Sequence, residues 1–307
     1  MTPPPVPTRR RRPGRRRVLA LALAVVGAVL AATTGTAPRA MGAPVAADRA
    51  QRGSRTPVVY IADTFNDRVV TVRPGNKGQR TVVGKSLSLD LPYGVAVDQD
   101  HNLYIADSRH NRVVKKSPHG RATTVGLGLA SPYGVAVDHA GNVYIADTGN
   151  QRVVKVAPDG TQTTLVSEGI SNPTAIAVDP GGFLFVNDPY NHRVIKVPVN
   201  GGPFTTVPVA GLGDPAGLAL CADGNLIVAD PYNSLVHKVP LDGGAQSSVG
   251  SGLVFPTGVA VTSACDVYIA DFNQSQVFRV DADTGYQITI GTGLWAPYAL
   301  ALGADQR

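Results

Sequence analysis

One phrase recurs along this chain, and its spacing limits what the chain can fold into. It reads Pro-x-Gly-Val-Ala-Val-Asp, a short turn, Tyr-Ile-Ala-Asp, a loop, then Arg-Val-x-Lys-Val. The second Asp of each copy is Asp63, Asp107, Asp147, Asp188, Asp230 and Asp271, so the gaps are 44, 40, 41, 42 and 41 residues. Each copy reads as short strands separated by turns. Gly134–Asp138 is a short buried strand, Asn142–Asp147 a second, and Arg152–Val156 a third that alternates outward and inward. Pro158-Asp159-Gly160 is a turn and Thr161–Val166 a fourth strand.

Four strands per ~40 residues is the signature of a propeller blade. The expected fold is all-β, a six-bladed β-propeller of four-stranded antiparallel blades over residues 57–307. The strand nearest the axis must be thin, because blades crowd there. The chain supplies Gly94-Val-Ala96, Gly134-Val-Ala136, Ala175-Ile-Ala177, Gly217-Leu-Ala219, Gly258-Val-Ala260 and Ala299-Leu-Ala301. The first copy begins at Val58 with its second strand, and Pro297–Leu302 is an orphan first strand. The two ends should therefore pair, complete blade 1 and leave no open edge in the ring.

The formal charge of +6 is misleading as a guide to partners. Residues 1–47 hold eight Arg and no acid, and the remainder has 20 basic and 22 acidic residues, a charge of −2. A nucleic-acid partner is not expected, since the basic excess lies outside the repeats. Residues 1–47 read as an export signal: an Arg-rich start, an apolar run from Val18 to Ala32, then small residues. The run is short for a span, so no stable membrane span is expected after cleavage. Arg15-Arg16-Arg17-Val18-Leu19 resembles a twin-arginine motif, with general secretion as the other route. Residues 48–56 read as a linker. The expected localisation is secreted, extracellular or in the cell envelope.

Tyr144-Ile-Ala-Asp-Thr-Gly-Asn-Gln-Arg-Val-Val-Lys-Val156 resembles the NHL repeat of six-bladed propellers, and the resemblance covers about residues 58–302. Family members include extracellular sensor domains of bacterial serine/threonine kinases, which this chain resembles without the kinase. They also include RNA- or protein-binding domains and a zinc-dependent peptide-amidating lyase. The resemblance implies the fold; activity belongs to the site.

Topology assigns residues to faces. The Pro-x-Gly entries and the loops after Tyr-Ile-Ala-Asp share one end, the top. The residues after each Pro are Tyr93, Tyr133, Thr174, Ala216, Thr257 and Tyr298, and they should rim the channel. Outer loops add Phe65, Arg109, His110, Tyr190, His192, Tyr232 and Phe272. Two readings stand: a contact surface for a protein, peptide or glycan ligand, or Tyr rings that plug the channel mouth.

The Asp residues also read two ways. They could circle a divalent cation in the channel, or brace their own loops. An Arg five residues on favours the second, as repeated ion pairs: Asp63/Arg68, Asp107/Arg112, Asp147/Arg152 and Asp188/Arg193. Blades 5 and 6 have Leu235 and Gln276 there, which would leave Asp230 and Asp271 freer. No cofactor is expected. In the amidating lyase, zinc-binding His follow the entry Pro; here those positions hold Tyr, Thr and Ala. His101, His110, His119, His139, His192 and His237 are scattered over both ends. Related lactone hydrolases use a central Glu, whereas Glu168 lies beyond an outer strand. Asp281–Gly285 reads as a hairpin turn. Cys221 and Cys265 fall at the bottom of neighbouring blades and are either a disulfide or two free thiols. The reading is a monomeric, non-enzymatic binding module. The alternative is a metal-assisted lyase or hydrolase in the channel.

Overall fold

The computed structural model describes residues 57–75, 78–291 and 293–303 of the 307-residue chain. The export-signal reading of 1–47 and the linker reading of 48–56 lie outside the described residues. The strands form six four-stranded antiparallel sheets arranged as the blades of a propeller. Blade 2 shows the plan, from axis to rim: Pro92–Val97, Leu103–Asp107, Arg112–Lys116 and Ala122–Val125. Blade 1 has the order Pro297–Gly303, Val58–Asp63, Arg68–Val72 and Gln79–Val83. The last strand thus pairs antiparallel with the first, Val59 opposite Leu302 and Asp63 opposite Pro297, and the ring closes through the two ends. Among the described residues no helix is long and apolar enough to cross a membrane.

The core is divided into six clusters, one at each seam between neighbouring blades. This corrects the expected in–out alternation of Arg152–Val156. Val153 and Val154 are both buried, one against blade 4 and the other against blade 2. Both faces of a blade are covered by its neighbours, so the middle strands have no solvent face to alternate toward.

Crowding at the axis explains the small inner residues. A Cβ on Gly94 would collide with the carbonyl oxygen of Tyr133 in the next blade, and one on Gly258 with that of Tyr298. The inner strands of blades 2 and 6 are bulged between Pro and Gly, at Tyr93 and Thr257. A bulge of this kind re-aims the extra residue, and both residues line the central cavity.

The bottom turns are held by a second set of carboxylates. Asp138 accepts the Asn142 backbone N–H and side-chain amide, both at 2.8 Å, and the Tyr144 hydroxyl at 2.9 Å. Burial alone would raise its pKa, but these donors outweigh burial and hold the carboxyl below the usual range. Asp98 in blade 2 repeats the arrangement. Blade 5 has Cys221 at this place instead. It is bonded to Cys265 in the bottom turn of blade 6, with the two Cα atoms 5.3 Å apart.

Candidate functional site

The top face is built on the six Asp residues, all fully buried. Each ends the second strand of its blade and accepts a backbone N–H from the segment that leads into that blade. The donors lie 17 residues upstream: Asp90, Ala130, Ser171, Gly213 and Val254, at 2.7–2.9 Å. Asp63 takes the equivalent bond from Trp295 N–H at 2.6 Å, across the closure. A side chain three residues on completes each site: Asn66, His110, Asn150, Asn191, Asn233 and Gln274. The Nε atoms of Arg68, Arg112, Arg152 and Arg193 lie 2.6–2.7 Å from Asp63, Asp107, Asp147 and Asp188. These carboxylates are spent on holding loops, and they point to their own blades and linkers.

Asp230 and Asp271 are not free, which corrects the expectation set by Leu235 and Gln276. Asp230 gains His237, whose Nε2 lies 3.1 Å from Oδ2. Burial would raise its pKa, but His237, the Gly213 and Asp214 N–H groups and Asn233 lower it to about 2. Asp271 is satisfied by amides alone: the N–H groups of Val254, Phe255 and Gln274 and the Gln274 side chain.

At the channel mouth, three rings close on one another. Tyr93 and Tyr133 stack with centroids 4.3 Å apart, and Tyr298 meets Tyr93 edge-on at 4.7 Å. Burial is the largest cause that raises their hydroxyl pKa values, to about 12 for Tyr93. Below them the channel is lined by the inner strands, with Thr174, Ala216 and Thr257 completing the rim residues, and its cavity is about 60 Å³. That is room for about two waters, against ~300–1,000 Å³ for an organic ligand site.

From the mouth the aromatic surface continues outward over blades 6 and 1. Tyr298 touches Phe272 edge-on at 6.4 Å, Phe272 meets Phe65 at 5.5 Å and Phe255 at 5.8 Å, and Phe65 meets Trp295 at 5.7 Å. Trp295 is 56% exposed and Phe255 36%. These two were not read from the sequence. They lie in the segments before the entry Pro, outside the repeated phrase; the one available signal was that Trp295 is the chain's single Trp. Tyr190 and Tyr232 stand apart from this row on blades 4 and 5 and are largely exposed. Arg109 pairs loosely with Asp90 at 3.8 Å.

No three His converge among the described residues. His110 bonds Asp107, His192 the Gly213 carbonyl and His237 Asp230. The group of metal-ligating types brought together there is Cys221, Asp223 and Cys265, whose two sulfurs are bonded to each other. Asp281 turns back on Thr284 through its N–H and hydroxyl, as a hairpin turn does.

Comparison with known proteins agrees with this architecture. Residues 89–115 and 129–156 match the NHL repeat. A chain of a nidogen/laminin complex superposes with a TM-score of 0.72 at 20% identity, covering 82% of this chain and 100% of that one. A streptogramin B lyase gives 0.63 at 14%, covering 81% and 87%. The virginiamycin B lyase of Staphylococcus aureus gives 0.61 at 11%, covering 80% and 88%. At these identities the likeness is one of fold. No curated protein matches the sequence.

Proposed function

We propose that this NHL-repeat propeller is a secreted, non-enzymatic binding module whose top face takes a protein, peptide or glycan ligand. The observation that carries the reading is the connected row of rings from Tyr298 through Phe272 and Phe65 to the exposed Trp295. Rigid aromatic rings with one face in solvent are the commonest anchors of recognition surfaces. The Asp sites beneath hold the loops that carry them, so the surface is preorganised. The export-type segment at residues 1–47 supports placing such a surface outside the cell. A nidogen/laminin complex contains a propeller of this fold, which accords with a binding role.

The alternative, a metal-assisted lyase or hydrolase, needs ligands and space at the axis. The rim offers Tyr, Thr and Ala, and the cavity is of water size. Arrays of peptides and glycans probed with the mature protein test the first reading. A hit should lose at least ~30-fold in affinity on Trp295→Ala, the effect of losing an aromatic anchor, with the melting temperature kept. A hit indifferent to Trp295→Ala and Phe255→Ala would move the site elsewhere. Elemental mass spectrometry tests the alternative: about one zinc or calcium per chain would favour it.

A further inference from the structure

The seam between blades 4 and 5 is built differently from its neighbours. At three seams a hydroxyl just past the buried Asp donates to the entry Pro carbonyl of the next blade: Thr64 to Pro92, Ser108 to Pro132 and Thr148 to Pro173. In blade 6 the residue past the Asp is Phe272, and the Pro297 carbonyl is reached instead by Thr257, just after the entry Pro. Blades 4 and 5 have Pro189 and Pro231 past their Asp, with no hydroxyl to give. The seam between blades 5 and 6 has the disulfide instead. The seam between 4 and 5 has neither, and Thr174 Oγ1 and both amide atoms of Asn187 on blade 4 are buried without partners.

The segment leading into blade 5 is also held without an Arg. In blades 2, 3 and 4 the third-strand Arg reaches past its Asp to a linker carbonyl: Arg112 to Leu87, Arg152 to Gly128 and Arg193 to Gly169. Those grips hold a permanent charge, because guanidinium does not titrate in proteins. Blade 5 has Leu235 in that position. Asn233 holds the Gly211 carbonyl there at 2.9 Å. As Gln162 does for Leu127 in blade 3 and Gln287 for Ser251 in blade 6, Gln246 binds both the N–H and the carbonyl of Ala210 at 3.0 Å through its side-chain amide. The same amide nitrogen lies 2.9 Å from Nδ1 of the buried His237. Because Asp230 only accepts, His237 Nε2 carries the proton; because the Gln246 NH2 donates, Nδ1 is bare.

We propose that His237 and Gln246 form an acid-released clamp on the segment Ala210–Asp214. A proton taken from solvent by Nδ1 turns that atom into a donor facing a donor. Gln246 must then leave His237 or turn over, and turning over breaks both of its bonds to Ala210. The charged imidazole keeps its bond to Asp230, so the cost falls on the clamp. The ionisable groups around it are Asp230, which its low pKa keeps charged in mild acid, and Asp214 and His192 on the gripped side. Asp214 has its pKa raised, by burial first and then by Asp230, against a lowering from His192. His192 Nδ1 meets the Gly213 carbonyl as a donor, a bond that protonation leaves intact. Lys238, next on the strand, faces Asp223 at 3.8 Å. Val209 and Leu212 pack on the apolar cluster at this seam, which also holds the uncharged Thr174 and Asn187.

Hydrogen exchange of the mature protein at about pH 7.5 and about pH 5.0, corrected for the chemical exchange rate, tests this. Residues 209–214 should exchange about tenfold faster in acid, while 128–131, gripped by Arg152, should not change. The His237→Phe variant should abolish the rise; blade 6 already has Phe278 at this place, over an Asp held by amides alone. Equal protection of 209–214 at both pH values, or a rise that survives His237→Phe, would overturn the clamp. Should that variant fail to fold, the imidazole nitrogen shifts of the unmodified protein decide. Nδ1 bare at the higher pH and protonated at the lower sustains the proposal, and Nδ1 protonated at both ends it.

Discussion

Blades 2 and 3 follow the repeat closely, and blades 4 and 5 drift from it, yet all four keep the same register between their second and third strands. In blades 2 and 3 each buried Asp has its Arg and each next residue is a hydroxyl that reaches the following blade. These are also the residues that match the NHL repeat. Blades 4 and 5 lose the hydroxyl, blade 5 loses the Arg, and their outer strands shrink to Thr205–Val207 and Ser247–Ser248. Still, Asp188 pairs with Arg193 and Asp230 with Leu235 in the same register as Asp107 with Arg112. What survives the drift is the ladder, the thin inner strand, and the bond from each Asp to its linker. Those features set the ring; the latches between blades are replaceable.

The comparison breaks most visibly if the ring is opened. Deleting residues 295–307 removes the inner strand of blade 1, the Trp295 N–H that Asp63 accepts, and the Pro297 carbonyl that Thr257 reaches. It exposes strand edges at the closing blade. The expected result is loss of the cooperative melting transition in calorimetry. A truncated chain that melts at the original temperature would mean that closure adds nothing.

Next in size are the buried carboxylates. Asp147→Ala strands the Ala130 N–H, the Asn150 amide and a partly buried Arg152 guanidinium. The cost should be about 3 kcal/mol, the usual range for leaving one partner of a buried pair. Asp271→Ala strands amides and no cation, so about 2 kcal/mol is expected. Urea unfolding of the two variants ranks them, and an equal or reversed ranking would show that the Arg adds nothing to the carboxylate sites.

Much of this was legible in the chain because the repeat is written six times. The blade count, the strand order, the closure and the top-face positions after each Pro follow from spacing alone. The Asp–Arg partnership was legible because both residues sit inside the phrase, five apart. The linker N–H groups were not, since any residue can donate a backbone N–H; Asp90, Ala130 and Ser171 share no side-chain character. Phe255 and Trp295 were missed for the same reason, as they lie where copies differ. His237 was hidden by its place in the strand, where other blades have Val70, Val114, Val154, Ile195 and Phe278.

Asn187 gives the smallest effect and the sharpest sign. It occupies the place of Ala62, Ala106, Ala146, Ala229 and Ala270 in the other blades. Its backbone N–H bonds Ala175 as the repeat requires, but both atoms of its side-chain amide are buried and unpaired. Desolvating an amide without partners costs about 1–3 kcal/mol in proteins, and trimming it to Ala loses some packing in return. The balance favours Ala, so Asn187→Ala should stabilise the domain by about 1 kcal/mol in urea unfolding. The same measurement on Thr148→Val, which removes a hydroxyl that does reach Pro173 at 2.7 Å, should move the other way by a similar amount. If Asn187→Ala instead destabilises, the amide is engaged in the folded protein, and the seam between blades 4 and 5 is better joined than its hydrogen bonds indicate.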